Sequence, residues 1–288
     1  MNLLIDIGNT RLKWATANNL DLMPRNPIAN TAVTRNALSL LWQAIQQPNQ
    51  LAISSVGASQ LYDVVISVAN QLWPGITIIR AQSETQGFGL TNAYQEPEKL
   101  GVDRWLSMIA GYQLYPKALC IADCGTAITV DVIDNSGQHL GGMISPGLRL
   151  MKEALANSTE NLQLSETAFP FGLAKNTDAA IHNGTLSAAC GLIDSVLKTQ
   201  PDTAQLLLTG GDAKAIAAHM GISKNSKSSF SLREKVDMRG LKSSIYNPHP
   251  SPLPEGEGIF RDSRISKPAI IDPDLVLRGL ALMLRKPS

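Results

Sequence analysis

The chain has 288 residues, 44% of them apolar, so it is long enough to bury one large core or two of ordinary size. Its formal net charge of +1 gives no electrostatic reason to expect nucleic acid or an anionic membrane surface as a partner. The three cysteines have no disulfide or zinc-site spacing, and no apolar run reaches membrane-spanning length, so we expect a reduced, cytoplasmic protein that acts on a small molecule.

The first half of the chain alternates strands and helices. A strand at Asn2–Ile7 turns at Gly8-Asn9 into a second strand, in which apolar and charged residues alternate. Further along we predict a helix at Asn36–Gln47, a strand at Leu51–Val56, a helix at Leu61–Leu72, a strand at Ile76–Ile79 and a helix at Gly101–Tyr112. This order is typical of an α/β unit.

The second half repeats the mixture of strands and helices. The predicted elements are strands at Leu119–Asp134 and Gly141–Ile144, a helix at Leu148–Ala156, a long helix capped by Thr177, a strand at Gln205–Leu208, a helix from Ala213 and an apolar helix at Leu275–Leu284. The long helix carries a stripe of small and apolar residues from Ala180 to Val196, which would permit close packing against another subunit. Between the last two helices, residues 222–267 are rich in Ser, Pro and basic residues without periodicity, which predicts a disordered insertion.

One short motif occurs twice. Asp6 and Gly8 recur as Asp123 and Gly125, each time 117 residues later and each time at the end of an apolar strand. Such a glycine lets the backbone turn tightly and lets a ligand approach, while the aspartate can hold a cation or water near phosphate oxygens. A single copy would favour an ordinary hairpin. Two copies in register favour phosphate binding by two related half-domains that face each other.

Two further segments add to this pattern. Thr209-Gly210-Gly211-Asp212 is a glycine pair between a strand and a helix, a common place for a nucleotide. Gly101 to Trp105 opens a helix with Asp103 beside Arg104, which could serve as a base and as a clamp for a carboxylate or phosphate. The alternative is a capping aspartate with an exposed arginine. Together these parts indicate a kinase that transfers a phosphoryl group from ATP to a small acidic alcohol.

The sequence resembles the type III pantothenate kinases of bacteria, within the acetate/sugar kinase, actin and heat-shock ATPase superfamily. The resemblance lies in five segments, which are Asp6–Thr10, Tyr94–Trp105, Asp123–Thr126, Gly141–Gly147 and Thr209–Asp212. It implies an α/β fold of two duplicated actin-like, ribonuclease H-like half-domains with an ATP cleft between them. The half-domains would be residues 1–117 and 118–288, the second interrupted by the insertion at 222–267.

The resemblance also implies roles for individual residues. ATP phosphates would lie on Asp6, Ile7, Gly8, Asn9, Thr10, Arg11, Leu12, Lys13 and Thr126, with the adenosine near Gly210 and Gly211. Asp103 would be the catalytic base, and the pantothenate pocket would be lined by Tyr94, Gly101, Val102, Asp103, Arg104 and, across a homodimer interface, Thr177. Asp123 would hold a monovalent cation, K⁺ or NH₄⁺, and Mg²⁺ would accompany ATP. The product would be 4′-phosphopantothenate, at the entry to coenzyme A biosynthesis.

Two other functions are compatible with the sequence. A sugar or acetate kinase of the same superfamily would have similar phosphate-binding turns and a different acceptor pocket. A non-catalytic transcription accessory factor would use the basic insertion to contact nucleic acid, and that contact would depend on salt concentration. Lysines in such a segment are usually only solvated, so we expect no nucleic acid partner.

Overall fold

The computed structural model describes residues 1–57, 59–157, 169–222 and 269–285. The first sheet is built from β1 (Asn2–Ile7), β2 (Arg11–Asn18), β3 (Asp21–Pro24), β4 (Ile28–Ala29), β5 (Gln50–Ser55) and β6 (Thr77–Arg80). Its strand order is β3-β2-β1-β5-β6, with β4 also paired to β2. A short hairpin of β7 (Gln86–Gly87) and β8 (Leu90–Thr91) follows it.

The second sheet repeats the first. It consists of β9 (Leu119–Cys124), β10 (Ala127–Ile133), β11 (His139–Pro146), β12 (Gln205–Thr209) and β13 (Ala269–Ile271). Its strand order is β11-β10-β9-β12-β13. The central strand β9 is antiparallel to β10 and parallel to β12. In the same way, β1 of the first sheet is antiparallel to β2 and parallel to β5. The shared order and strand directions confirm the predicted α/β fold of two duplicated halves.

Helices lie outside both sheets and between them. They are α1 (Arg35–Trp42), α2 (Ser59–Leu72), α3 (Val102–Leu114), α4 (Leu148–Asn157), α5 (Thr177–Lys198), α6 (Ala213–His219) and α7 (Leu275–Met283), with 3₁₀ turns at Asn30–Ala32 and Pro97–Lys99. One core packs α1 and α2 on the first sheet, and another packs α5 and α6 on the second. A third core holds α3 and α7 between the two sheets. No helix in the described ranges has the length and apolar character needed to cross a bilayer.

The alternation of side chains along each central strand determines which residues meet the middle layer. Leu4 of β1 and Ile121 of β9 belong to the core around α3 and α7, whereas Ile5 and Cys120 belong to the outer cores. Residues two apart on a strand share a face. Asp6 therefore lies on the inner face of the first sheet, as the matching aspartate of β9 does on the second.

Several predicted boundaries differ from the structure. Helix α1 ends at Trp42 rather than Gln47, and Pro48 accounts only for the exclusion of Gln47, the residue before it, from the helix. Strand β11 runs on to Pro146, two residues beyond the predicted end at Ile144. Because β11 is an edge strand, a proline at its end removes no necessary hydrogen bond.

The cap of α5 was also assigned one residue too late. Asn176, not Thr177, is the N-cap, and its side chain accepts a hydrogen bond from the Ala179 N–H at 2.9 Å. The extended backbone of Asn176, with φ of −143°, aims that side chain at the first turn. Thr177 is the first helical residue and is exposed.

The last predictions about the fold concern the end of the chain. The insertion at 222–267 lies outside the described residues, except for Ile222, which packs against the outer core of the second sheet. The helix after it is confirmed as α7, which contacts α3 and also β1 and β5 of the first sheet. The domain boundary at residue 117 stays a prediction.

The three cysteines behave as ordinary core residues. Cys120, Cys124 and Cys190 are buried thiols outside any disulfide, and all three belong to the outer core of the second sheet. Burial raises the pKa of Cys190 to about 12 and that of Cys124 further still. Reactivity requires the thiolate, so these thiols are inert.

Candidate active site

The two Asp-x-Gly turns meet between the sheets. The hydroxyls of Thr10 and Thr126 lie 2.7 Å apart, although 116 residues separate them in the chain. Each turn is closed by its own glycine, since the Gly8 N–H donates to the Arg11 carbonyl at 3.1 Å and the Gly125 N–H to a carbonyl two residues on at 3.0 Å. The predicted pair of turns is therefore one composite structure.

The second turn is one residue shorter than the first. Asp6 lies opposite Lys13 across the β1–β2 hairpin, whereas Asp123 lies opposite Thr129 across the β9–β10 hairpin. Matching residues of the two copies are thus 117 positions apart in the chain before the turn and 116 positions apart after it. At this position the first half has Lys13 and the second half has Thr129. The positive charge of Lys13 lowers the pKa of Asp6 and of Asp123, which opposes the larger effect of burial on both.

Each aspartate also has a buried hydroxyl on its other side. Ser54 of β5 lies opposite Asp6, and Thr209 of β12 lies opposite Asp123. Within the described part of the chain, the Thr209 hydroxyl oxygen and Asp6 Oδ1 are buried without a hydrogen-bond partner, while the Ser54 hydroxyl lies close enough to Asp6 to lower the pKa of that carboxyl. Buried polar atoms are normally satisfied, so these oxygens indicate a place for water, an ion or a ligand.

Three carboxylates converge at this place. Burial raises the pKa of Asp6 to about 7 and that of Asp123 to about 6, against the opposing effect of Lys13. The negative charge of Asp103 raises both values further. Burial also raises the pKa of Asp103, although the Arg104 N–H and the charge of that arginine oppose the shift. Clustered carboxylates of this kind can hold cations and accept protons.

The raised pKa of Asp6 leads to a pH-dependent stability. Because the folded state binds the proton more tightly than the unfolded chain, stability falls as pH rises from about 4 to about 7. Asp6→Asn should remove this loss and stabilise the ligand-free protein at pH 8 by about 2–4 kcal/mol. Urea unfolding in the presence of a chelator, at pH 5 and pH 8, measures the effect.

The control for this prediction is Asp21→Asn, which removes an exposed carboxylate from the same sheet. We expect that variant to follow the parent at both pH values. An Asp6→Asn variant that loses as much stability between pH 5 and pH 8 as the parent would contradict the assignment.

The start of α3 fixes the position of Asp103. Gly101 is the N-cap and supplies no side chain, and Asp103 Oδ1 accepts the Arg104 N–H at 2.8 Å. A Cβ at Gly101 would lie 2.6 Å from that oxygen. The Asp103 carboxylate therefore caps the first turn of α3, as the alternative interpretation of the sequence predicted. It also lies near the carboxylates of Asp6 and Asp123.

The arginine beside it is not exposed, contrary to that alternative. Only 6% of Arg104 is accessible, and it donates from Nε and Nη2 to the two oxygens of Asp131 at 2.8 and 2.6 Å. Its Nη1 donates to the Tyr94 hydroxyl at 2.9 Å. The guanidinium fork, predicted to clamp a ligand, holds a carboxylate of the chain itself.

Asp131 and His139 were missed from the sequence. His139 Nδ1 accepts the Ala93 N–H at 3.4 Å, and its Nε2 lies 3.0 Å from Asp131 Oδ1. Burial would raise the pKa of Asp131, but the hydrogen bonds from His139 and Arg104 hold it below its usual range. The available signal was a charged residue inside the apolar strand β10.

The glycine pair lies against the second turn. A Cβ at Gly210 would be 2.5 Å from Asp123 Oδ1, and its φ of +89° also suits glycine alone. The Asp212 N–H donates to the Cys124 carbonyl at 2.9 Å, which ties this loop to the turn. Gly211 is exposed with open space around it, so a ligand could approach its backbone.

The structure brings most of the predicted site residues together, with two kinds of exception. The side chains of Ile7, Leu12 and Val102 are buried in the cores, so only their backbone could reach a ligand. Thr177 begins α5, which packs on the opposite face of the second sheet from α3. A glycine not predicted, Gly57 at the end of β5, approaches Asn9, whose Oδ1 would be 2.9 Å from a Cβ at that position.

The described residues fit a cation without forming a complete cage. No group of three His, Cys, Asp or Glu side chains with metal-site spacing occurs among them. Asp6 and Asp123 offer carboxylate oxygens beside the buried hydroxyls of Ser54 and Thr209, and hard cations prefer oxygen ligands. Magnesium or a monovalent cation would fit there if phosphate oxygens and water completed its coordination.

Comparison with known proteins agrees with this arrangement. The family model for type III pantothenate kinase matches residues 2–199, more than half of the chain. A type III pantothenate kinase from Nitrosococcus oceani is 37% identical over 232 residues, covering 75% of this chain and 85% of the relative. One from Acinetobacter baumannii is 34% identical over 220 residues, covering 75% and 87%.

A solved structure is similar in fold. A protein from Campylobacter jejuni, described as a conserved Baf family transcriptional activator, aligns with a TM-score of 0.51 and 20% identity over 99% of this chain and 98% of its own. At that identity the likeness concerns the fold alone. On the family match and the sequence relatives, the chain belongs to the type III pantothenate kinase family.

Proposed function

We propose that this protein phosphorylates pantothenate with ATP and so carries out the first step of coenzyme A biosynthesis. The observation that supports this most directly is the convergence of Asp6, Asp103 and Asp123 where the two halves meet, with Lys13 opposite Asp6 in its hairpin. Phosphoryl transfer needs little covalent chemistry from the protein and depends on positioning and on charge neutralisation. A lysine, a candidate base and cation-binding carboxylates meet those needs.

Asp103 is proposed as the catalytic base. Its carboxylate is held at the start of α3 by the Arg104 N–H, and its raised pKa makes it a better proton acceptor than an exposed aspartate. It would accept the proton of the pantothenate hydroxyl as that oxygen attacks the γ-phosphorus of ATP. Tyr94, Gly101, Val102 and Arg104 would line the acceptor pocket.

ATP would lie across the paired turns. Its phosphates would contact the segment from Asp6 to Lys13 and Thr126, whose hydroxyl already meets the opposite turn. The adenosine would lie near Gly210 and Gly211, and the open space at Gly211 supports this placement. Bound Mg²⁺, with K⁺ or NH₄⁺ at Asp123, would neutralise charge on the phosphates.

One assay tests the proposed function. The purified protein is incubated with ATP, Mg²⁺ and pantothenate, with K⁺ present or replaced by Na⁺, and ADP and 4′-phosphopantothenate are measured. Parallel reactions with acetate and with hexoses test the sugar and acetate kinase alternative. Formation of ADP with those acceptors and not with pantothenate would overturn the proposal. The reduced, buried cysteines and the use of ATP agree with the cytoplasmic location we propose.

We also propose that the active unit is a homodimer. Thr177 is expected in the pantothenate pocket, yet α5 lies across the second sheet from Asp103, so a partner subunit could supply it. Nearby surfaces are apolar and exposed, including Leu140, Met143 and Ile144 of β11. Ala180 and Gly184 on α5 are exposed too, which would allow close helix packing.

A mixing experiment tests the shared site. Asp103→Asn and Thr177→Trp should each be inactive, because one lacks the base and the other fills the pocket. In a mixed dimer, one of the two sites would be free of both changes, so mixing should restore about a quarter of the parent activity in a statistical mixture of subunits. Subunit exchange is checked by mass spectrometry of differently tagged chains. Exchange without any recovery would rule out the shared site.

A further inference from the structure

We propose that Asp131 and His139 are positioning residues, which orient Arg104 and Tyr94 and thereby set the affinity for the carboxylate of the acid substrate. This inference rests on the proposed function. It goes beyond it by assigning a role to two residues outside the recognised sequence motifs. The four side chains form a closed ring of contacts beside Asp103, and each contact can be tested by substitution.

The contacts of Asp131 fix the plane of the arginine. Two parallel hydrogen bonds, Nε to Oδ2 and Nη2 to Oδ1, leave the guanidinium of Arg104 one orientation relative to β10. A third hydrogen bond, from Nη1 to the Tyr94 hydroxyl, orients the tyrosine side chain relative to the arginine. Of the five N–H donors, one on Nη1 and one on Nη2 remain for a ligand. The direction in which Arg104 can bind an acid is therefore determined by Asp131.

His139 closes the ring. Its Nε2 lies 3.0 Å from Asp131 Oδ1, and its ring stacks on that of Tyr94 with centroids 6.2 Å apart and planes 13° apart. Because Nδ1 accepts the Ala93 N–H, the Nε2 nitrogen carries the proton that Asp131 accepts. His139 thus restrains the carboxylate and the tyrosine ring at once.

A contribution to folding stability is a weak explanation for the buried ion pair of Arg104 and Asp131. The side chains of Arg104 and Asp131 are only 5% and 3% exposed. Burying two opposite charges costs solvation that their attraction repays only in part, and an apolar pair of similar size is often as stable. Orientation of a ligand-binding group is a function that an apolar pair could not provide.

The backbone of β11 covers the ion pair. Gly142 lies opposite Asp131 in the β10–β11 ladder, and a Cβ there would collide with Arg104 Nη2, with Asp131 Oδ1 and with the Val130 carbonyl oxygen. Gly142→Ala would therefore displace the guanidinium and the β11 backbone that covers it, without changing any charge. Gly191→Ala is a matched control, because Gly191 is exposed on α5 with open space around it.

The experiment is a steady-state double-mutant cycle on the full chain. Asp131→Asn should raise KM for pantothenate about 10- to 100-fold, the loss expected for misdirected charge-assisted hydrogen bonds, and leave KM for ATP within about threefold. Tyr94→Phe should have a smaller effect of the same kind. The double variant should be no worse than Asp131→Asn, because both changes interrupt one network. Gly142→Ala should raise KM for pantothenate, and Gly191→Ala should not.

The outcomes separate this inference from the proposed function. A parent protein that does not phosphorylate pantothenate refutes the proposed function and the inference with it. If the parent is active and Asp131→Asn keeps its KM for pantothenate, the inference alone is overturned. It is also overturned if the KM increase in the double variant equals the product of the increases in the two single variants. If Asp131→Asn does not fold, His139→Gln and Gly142→Ala take its place in the cycle with Tyr94→Phe, with the same criteria.

Discussion

Replacing Asp103 by asparagine is expected to lower kcat by about 10²–10⁴-fold, while the protein stays folded and binds both substrates. The amide has nearly the same shape and can still accept the Arg104 N–H through its oxygen, so the start of α3 should be preserved. What it cannot do is accept the proton of the attacking hydroxyl, and general-base catalysis contributes rate factors of this size. Steady-state kinetics with saturating ATP and pantothenate measures the loss.

The matched control for Asp103 is Glu98→Gln, which neutralises an exposed acid in the turn before α3. It should leave kcat and its pH profile unchanged. The parent should lose activity toward low pH as Asp103 becomes protonated, and the asparagine variant should lack that part of the pH dependence while keeping the part that comes from Asp6 and Asp123. Normal turnover in Asp103→Asn would mean that another group accepts the proton.

Replacing Asp123 by alanine is expected to abolish stimulation by K⁺ and to lower kcat/KM for ATP by about 10²–10³-fold. Its carboxylate lies against Gly210 and beside the unpartnered hydroxyl of Thr209, where a cation would neutralise phosphate charge. Loss of one electrostatic contact to a transferring phosphoryl group has effects of this order. Binding of pantothenate should change much less, because its proposed pocket is formed by other residues.

Rates in K⁺, NH₄⁺ and Na⁺ at constant ionic strength, with calorimetric binding of a non-hydrolysable ATP analogue, test this second prediction. Asp63→Ala, which removes an exposed carboxylate from α2, is the control and should respond to K⁺ like the parent. If Asp123→Ala and the parent are stimulated equally by K⁺, the cation binds elsewhere.

Much of the fold followed from local pattern. The turn at Gly8-Asn9, the strand ending at Asp123 and the helix opening at Gly101 each depend on a few adjacent residues, and the structure has all three. The errors were at boundaries. The sequence favoured a longer α1 and an earlier end of β11, and for β11 the edge position in the sheet was decisive.

The candidate site was predicted only in part. The repeated aspartates were found because they lie in copies of one motif, but the face of the sheet to which each points was not predicted. Which elements cover that face was not contained in the pattern. Asp131 is 27 residues from Arg104 and follows no motif, so its ion pair could not be inferred from spacing.

The sequence by itself determined the element types, the turns that could bind phosphate and the family likeness, because these depend on neighbouring residues or on copies of one motif. Only the tertiary structure decided that Thr10 meets Thr126, that α7 returns to the first sheet and that Arg104 is engaged by Asp131. The physical reason is that such contacts depend on strand order and register. Those are set by the packing of two sheets around α3 and α7, to which distant parts of the chain contribute together.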